Sequence, residues 1–231
     1  MPAILPDIPT VETEIVQMTN DFRTKNKLGD VRPNKELSDA ARAFAAYLAK
    51  SGAFSHTADG REAGDRVTSA GYQWCQVGEN LAMALDSRGF ESRALAKKAV
   101  EGWINSPGHR KNMLAQHATE IGVGVVRAPD KDPKFITVQL FARPKSLQYE
   151  FQISNSSREA VSYSFGGEEH EVRPSYAVTH TACAPSPLAF DKIGDKPVTL
   201  RFEATGGVVY TLKPDRKAGL KVEIRPFERA E

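Results

Sequence analysis

Two histidines and two glutamates stand out in this sequence, because their side chains are of the kinds that bind divalent cations or move protons. They are His56, Glu79, His109 and Glu120, and they lie far apart along the chain. Each is expected on a loop or at the end of a helix or strand. Two imidazoles and two carboxylates that converge in a small cleft could hold a metal ion or transfer a proton. The sequence therefore predicts one site, provided that the fold brings these four side chains together.

Zinc is the metal that this set of side chains would suit best. Neutral imidazoles with one or two carboxylates match its preferences, whereas harder cations take more oxygen ligands. We expect the site to respond to pH near neutrality, because imidazole titrates there. A serine nucleophile is not indicated, since the sequence has no Gly-x-Ser-x-Gly segment.

Composition indicates a folded protein with one large domain or two ordinary ones. The chain has 231 residues, of which 40% are hydrophobic and 26% charged, and these proportions argue against disorder. Its 31 basic and 29 acidic residues leave a net charge of +2, which is too balanced for a protein that binds nucleic acid. No apolar stretch is long enough to cross a bilayer. The first residues lack the basic and apolar regions of a signal peptide, which indicates either a cytoplasmic protein or one whose leader has been removed.

The two cysteines, Cys75 and Cys183, carry little information. They are too few for a disulfide framework and too far apart in sequence for a zinc cluster built from close pairs. Two unpaired thiols are the favoured interpretation, and a single bridge in an oxidising compartment is the alternative.

The first half of the chain is predicted to be mainly helical, because apolar residues recur there at helical spacing. Ser38 is the expected N-cap of the second helix. The pair Pro107–Gly108 is expected to end the fourth helix and so to place His109 just past a helix end. Four helices are expected, over about 11–22, 38–50, 61–70 and 92–104.

Beyond residue 120 the hydrophobic period changes to two, which is typical of strands. Alternation over 121–126 and 135–141 predicts a hairpin, so residues 8–144 are expected to form a sheet covered by helices. From about Pro144 onward only short alternating segments follow, and they predict a small all-β sandwich domain over residues 145–231. These segments are centred on 149–153, 161–165, 198–202, 208–212 and 220–224.

A series of blocks in the first half resembles, in the same order, the motifs of one family. The blocks are Thr19–Arg23, Leu37–Ser38, Phe54–His56, Gly60, Arg66, Gly71–Tyr72, Gly78–Ala82, Ala99–Trp103, Ser106–Leu114 and Glu120–Gly124. On these blocks the sequence resembles the CAP superfamily of cysteine-rich secretory, antigen-five and plant pathogenesis-related proteins. It is most similar to the bacterial, SCP-like extracellular type, since it lacks the Gly-His-Tyr-Thr-Gln block and the several disulfides of eukaryotic members.

The resemblance implies an α+β fold, with a three-layer α-β-α sandwich over residues 8–144 followed by the all-β domain over 145–231. It also implies a cleft lined by two histidines and two acidic residues, which binds zinc or another divalent cation in some members. By their places in the motifs, His56 and His109 match the two histidines and Glu79 matches the glutamate that follows a glycine. Glu120 is the candidate for the second acid.

Three functions are compatible with this sequence, and whether the protein is an enzyme is left open. The first is an exported, non-enzymatic binding module whose cleft holds a lipid, a glycan or a cell-envelope component, beside a structural or regulatory cation. The second is a zinc-dependent hydrolase or peptidase, in which His56 and His109 would hold the metal and Glu79 or Glu120 would act as the base. The third is a structural interaction protein. The resemblance implies a secreted or periplasmic location, with no nucleic-acid partner and no transmembrane segment.

Overall fold

The computed structural model describes residues 3–227, and the chain divides into two compact units between residues 146 and 147. Each unit has its own hydrophobic core. The predicted fold class is confirmed: the first unit is a layered structure of helices and a sheet, and the second is built of strands.

In its described part, the first unit has five α-helices and one four-stranded sheet. The helices are α1 (Ile8–Lys25), α2 (Lys35–Ser51), α3 (Ala63–Ser69), α4 (Ser92–Ile104) and α5 (Pro107–Met113). The strands are β1 (Arg32–Pro33), β2 (Trp74–Leu85), β3 (Glu120–Arg127) and β4 (Lys134–Pro144), hydrogen-bonded in the order β1-β3-β4-β2. Within residues 3–227, no helix combines the length and the hydrophobicity needed to span a membrane.

The sheet lies between two helical layers, as a three-layer sandwich requires. One face packs on α1 and α4 through a core that includes Ile15 and Trp103. The other face packs on α2 through a core that includes Phe44 and Leu48. Because β2 is the last strand in the order, its outer edge pairs with no other strand of the sheet.

Capping explains where α2 begins and ends, and the predicted start of this helix is wrong. The side chain of Asn34 accepts a hydrogen bond from the backbone of Leu37 at 3.0 Å, so Asn34 is the N-cap. Ser38 lies inside the helix, and its hydroxyl donates to the carbonyl of Asn34 at 2.8 Å. Asn34 takes the capping position because its backbone is still extended there. The helix ends at Gly52, which adopts the left-handed conformation.

Helix α4 ends at Ile104, before Pro107–Gly108, as predicted, but residues 107–113 form a further helix, α5, which was not predicted. Pro107 is the first residue of this helix. A proline is well tolerated at that position, because the backbone N–H that it lacks would have no partner within the helix. His109 therefore lies within a short helix.

Strand β2 is not predicted by an alternating pattern, and it places Glu79 inside a strand instead of on a loop. The pattern is obscured because Asn80, next to Glu79, is fully buried although it is polar. Gly78 precedes them, and a Cβ there would lie 3.2 Å from the side-chain oxygen of Asn112. Glu79 and Asn80 in this strand thus face protein and not solvent.

Two glycines in β3 let α2 lie very close to the sheet. A Cβ built on Gly122 would lie 2.2 Å from the carbonyl carbon of Leu37. A Cβ on Gly124 would lie 2.2 Å from the backbone nitrogen of Arg42. Since both obstacles are backbone atoms, no side-chain rotation could relieve the contact.

The second unit is a sandwich of two four-stranded sheets, which confirms the prediction. Its strands are β5 (Tyr149–Asn155), β6 (Val161–Phe165), β7 (Glu168–Val172), β8 (Ala177–Ala182), β9 (Pro187–Ile193), β10 (Lys196–Glu203), β11 (Val208–Asp215) and β12 (Gly219–Pro226). The sheet orders are β10-β9-β6-β7 and β12-β11-β5-β8. Phe151 and Tyr210 from one sheet share a single core with Tyr163 and Phe190 from the other.

The state of the cysteines differs from the interpretation that the sequence favours. Neither Cys75 nor Cys183 is a free thiol, so the interpretation as two unpaired thiols is wrong. Two cysteines so far apart in sequence form no spacing motif, so the sequence could not predict whether they pair.

Candidate functional site

His56 and Glu79 form a hydrogen-bonded pair. The imidazole Nδ1 of His56 lies 2.8 Å from Oε1 of Glu79. An ionised carboxylate can only accept hydrogen bonds, so in the neutral imidazole Nδ1 carries the proton and Nε2 keeps a lone pair. The His56 side chain is 53% exposed, whereas that of Glu79 is 4% exposed. The buried carboxylate thereby orients an imidazole that remains open to solvent.

A buried arginine neutralises the charge of Glu79. Nη2 of Arg66 donates to Oε2 of Glu79 at 2.7 Å, and Nη1 donates to Asp59 at 2.9 Å. Only 4% of the Arg66 side chain is exposed, and its guanidinium lies 3.6 Å above the centre of the Phe44 ring. We name Arg66, Glu79 and His56 the Arg–Glu–His chain, because each member contacts the next.

Arg66 also fixes the backbone that carries His56. Its guanidinium donates to the carbonyl of His56 at 3.0 Å and to that of Arg61 at 2.7 Å. One buried side chain on α3 therefore holds both the loop of His56 and the carboxylate that binds the imidazole. The position of His56 is set by four hydrogen bonds that all involve the Arg–Glu–His chain.

Two asparagines attach helix α5, which carries His109, to the edge of β2. Asn80 donates from its amide to the carbonyl of His109 at 3.2 Å. Asn112 donates to the carbonyl of Glu79 at 3.0 Å and to the side-chain oxygen of Asn80 at 2.9 Å. Asn80 also donates to the buried Gln139 at 3.0 Å, so the attachment continues into the core. The side-chain amides of Asn80 on β2 and Asn112 on α5 thus hold this helix in place.

The imidazole of His109 lies close enough to that of His56 for their charges to interact. Burial lowers the pKa of His109 below its usual value, and the charge of His56 lowers it further. Such an influence fades beyond about 10 Å in salt solution. Because Asn80 and Asn112 hold α5 against β2 at Glu79, and Glu79 binds His56, the structure places three of the four predicted residues, His56, Glu79 and His109, at the outer edge of β2.

NMR titration of the imidazole protons should give His109 a pKa below that of the unfolded chain, about 6.5. In the variant His56→Gln we expect this pKa to rise, because the neighbouring charge is gone, without reaching the unfolded value, because burial remains. Since the folded pKa is the lower one, the contribution of His109 to the free energy of unfolding decreases as the pH falls below about 6.5. A His109 pKa equal to or above that of the chain unfolded in urea would contradict this environment.

Glu120 lies elsewhere on the sheet. Its carboxylate accepts hydrogen bonds from the hydroxyl of Tyr72 and, at 3.5 Å, from the side-chain amide of Asn34. Across β4, Glu79 is aligned with Gly122 and not with Glu120. The two glutamates lie two strands apart across the sheet and two residues apart along the strand direction. Their Cα atoms are therefore about 12 Å apart. Glu120 follows His109 closely in sequence, but β4 intervenes between its strand and β2.

The arrangement of donor atoms does not fit a metal ion. One oxygen of Glu79 accepts a hydrogen bond from His56, and the other accepts one from the guanidinium of Arg66. Within residues 3–227, no three side chains of His, Cys, Asp or Glu are placed so that they could hold a metal. The divalent cation, with zinc as the first choice, stays a prediction from the resemblance. The donor atoms of these residues do not fit such an ion.

A groove of about 360 Å³ lies beside His109, between the edge of β2 and helix α4. Most of the side chains that line it are apolar. Trp103 is one of them, and its Nε1 donates to the carbonyl of Leu81 at 2.9 Å. The polar residues of the lining are Lys98, Ser106, His109 and Thr137.

Sequence reasoning gave no role at the site to Arg66, the residue that connects it. Arg66 ends a segment rich in charges, Asp59–Arg66, and such a segment is typical of a solvated surface. Its burial depends on the ring of Phe44 and on the carboxylate of Glu79, and both come from other elements. The nearest signal in the sequence is the single apolar residue of α3 that follows it, Val67, which indicates that this side of the helix faces the core.

The profile of the cysteine-rich secretory protein family, CAP, matches residues 16–141 of this chain. That range holds the sheet and the three side chains that meet at β2. The chain belongs to the CAP family. The predicted resemblance is thereby confirmed, and we refer to the first unit as the CAP unit. The family is one of extracellular proteins.

Two proteins of Bacillus subtilis (strain 168) are similar to the CAP unit. The uncharacterized protein YkwD is 30% identical over 122 residues, which are 52% of this chain and 44% of YkwD. The uncharacterized membrane protein YlbC is 31% identical over 121 residues, which are 51% of this chain and 32% of YlbC. The match thus spans less than half the length of either relative.

Solved structures are similar to the same part of the chain. An extracellular protein containing an SCP domain from Bacillus anthracis str. Ames matches with a TM-score of 0.49 and 28% identity, over 59% of this chain and 41% of that protein. An outer surface protein from Borrelia burgdorferi matches with a TM-score of 0.51 and 21% identity, over 58% of this chain and 93% of that protein. At this identity the second likeness concerns the fold alone.

Proposed function

We propose that the CAP unit is an exported, non-enzymatic binding module, which holds an extracellular ligand at the imidazoles of His56 and His109 and in the groove beside them. The Arg–Glu–His chain is the observation that carries this proposal. It fixes the imidazole of His56 at the surface with its Nε2 unbound, and the second imidazole, that of His109, lines a largely apolar groove. A few fixed polar groups beside an apolar wall are the usual composition of a ligand site.

A hydrolase at this site has less support. In the described part of the chain, no serine or threonine hydroxyl is hydrogen-bonded to the imidazole of His56 or His109. Glu79, the residue expected to act as a base, has both oxygens engaged, one of them by a guanidinium. A carboxylate held in this way serves better to orient His56 than to take up a proton.

The charges and the lining narrow the class of ligand. Because its pKa is lowered, His109 is neutral at pH 7 and recognises a hydrogen-bonding group rather than a charge. Lys98 supplies the positive charge of the groove. Apolar walls suit a ligand with apolar parts, so a lipid or another amphiphilic envelope component fits better than an unsubstituted glycan.

The test is equilibrium binding of the full chain to three probes: phosphatidylglycerol vesicles, a soluble peptidoglycan fragment, and heptapeptides selected on the chain from a random library. We expect at least one probe to bind and His56→Ala to weaken that binding by roughly tenfold, the effect of losing one good hydrogen bond. His117→Ala is the matched control, since among residues 3–227 His117 is hydrogen-bonded only through its backbone carbonyl. Equal binding by wild type and His56→Ala, or no binding of any probe, would overturn the proposal.

A further inference from the structure

The outer edge of β2 is covered along only part of its length. The carbonyls of Glu79 and Leu81 point outward, because they accept hydrogen bonds from the side chains of Asn112 and Trp103 at 3.0 and 2.9 Å. In a strand, every second residue directs its backbone N–H and C=O to the same side. Met83 and Leu85 therefore also direct theirs outward, away from β4.

No side chain covers the edge at Met83. Within residues 3–227, neither its N–H nor its C=O has a hydrogen-bond partner, since β2 pairs with β4 alone and Met83 faces away from it. The residues here are also apolar and open to solvent, with Met83 53% and Leu85 58% exposed. The groove described above runs along this same stretch, from Leu81 to Ala84.

Natural proteins usually protect a free strand edge against pairing with other chains. Charged residues, prolines, bulges or a covering element serve this purpose. The stretch from residue 81 to residue 85 reads Leu-Ala-Met-Ala-Leu, with neither a charge nor a proline, and its pairing with β4 is regular. An edge that is capped at 79 and 81 and left open at 83 is arranged for a partner there.

We infer that an extended peptide adds to β2 as a further strand, opposite residues 81–85. This inference rests on the proposed function and names its ligand class, because the groove is part of the same site. A peptide backbone supplies the donors and acceptors that the outward N–H and C=O of Met83 lack. An acyl chain would fill the groove but leave those groups unpaired.

The side chains of the groove add two preferences to the peptide. Residues on one side of it would be apolar, since they would pack against Ala82 and against Leu95 and Ala99 of α4, which lie on the same face of the sheet. Lys98 lines the groove, and within residues 3–227 it has no carboxylate at ion-pair distance, although its charge acts on that of Asp86; an acidic residue in the peptide would pair with it directly. The predicted ligand is an extended, partly apolar peptide with a carboxylate.

The decisive variant is Met83→Pro, compared with Met83→Ala. Proline removes the outward N–H, and a strand edge tolerates it because that N–H makes no bond to β4. Alanine shortens the side chain and keeps the N–H. With heptapeptides selected on the wild-type chain, we expect Met83→Pro to bind roughly tenfold more weakly than Met83→Ala. Methylation of alternate peptide nitrogens should weaken binding to the wild type with a period of two.

Several results would overturn the inference. They are selection of no peptide, equal binding by the two Met83 variants, and equal tolerance of methylation at every peptide nitrogen. The methylation series uses the wild type alone, so it decides the matter even if Met83→Pro fails to fold. A concentration-dependent dimer lost in Met83→Pro would assign the edge to a second copy of the chain and also overturn it.

The same peptides separate this inference from the proposed function. If His56→Ala bound the peptides more weakly and Met83→Pro bound them like the wild type, strand addition would be wrong and the proposed binding module would stand. If Met83→Pro bound them more weakly and His56→Ala bound them like the wild type, strand addition would stand and the proposed role of His56 would be wrong. Binding of phosphatidylglycerol vesicles that depends on His56, without any selected peptide, would assign the groove to lipid.

Discussion

Replacing Arg66 by methionine is expected to lower the free energy of unfolding of the CAP unit by about 3–5 kcal/mol, the usual cost of removing one partner from a buried ion pair. The loss follows because Glu79, 4% exposed at its side chain, would keep its charge without a compensating cation. The packing of the guanidinium on Phe44 and its bonds to two carbonyls would also be lost. Urea denaturation of the full chain, followed by tryptophan fluorescence, measures this change, since both tryptophans lie in the CAP unit.

The chain offers a matched control and a rescue for this prediction. Arg61 pairs with the same Asp59 at 2.9 Å, but its side chain is 51% exposed, so Arg61→Met should cost less than about 1 kcal/mol. Adding Glu79→Gln to Arg66→Met should restore much of the stability, because it removes the uncompensated charge. Equal losses for the two arginines, or no rescue by Glu79→Gln, would show that the buried pair does not have the role described.

Replacing Gly124 by alanine is expected to cost about 3 kcal/mol, at the upper end of the range for overpacking. The new Cβ would lie 2.2 Å from the backbone nitrogen of Arg42 and 2.4 Å from the carbonyl carbon of Ala41. Helix α2 would have to move away from β3, which opens the core on that face of the sheet. Thermal unfolding of the full chain measures the loss, with the CAP-unit transition identified by tryptophan fluorescence.

Gly102→Ala is the matched control for Gly124→Ala. Gly102 lies within α4, and a Cβ there would meet nothing within 4 Å. Alanine should stabilise this helix by about 0.5–1 kcal/mol, because glycine is the poorer helix former. If both alanine variants changed stability by similar amounts, close approach of α2 would not be the reason for glycine in β3.

The parts of the fold that repeat a local pattern could be predicted from the sequence. Helix α4 begins and ends where its apolar spacing indicates, and the hairpin of β3 and β4 follows the change of period to two. Strand β2 could not be predicted in this way, because Glu79 and Asn80 are buried polar residues with partners on other elements. A hydrophobic pattern records burial in apolar surroundings, and it is silent about burial in a polar network.

The site shows the same division between local and non-local information. The types of His56, Glu79 and His109 indicate their chemistry, and the CAP resemblance places them in one cleft. The position of Glu120 depends on the order of strands in the sheet, which no local spacing specifies. The role of Arg66 depends on a tertiary contact with Glu79, and although Arg66 is part of the family pattern, its local sequence does not indicate that contact.

The orientation of the His56 imidazole is the central claim, and its tautomer can be measured directly. Long-range ¹H–¹⁵N NMR of the full chain, at a pH above the titration of its histidines, distinguishes a proton on Nδ1 from one on Nε2. Because the carboxylate of Glu79 accepts from Nδ1, the predicted result is the Nδ1–H tautomer for His56, and its loss in Glu79→Ala. A proton on Nε2 of His56 in the wild-type chain would contradict the Arg–Glu–His chain and the binding site built on it.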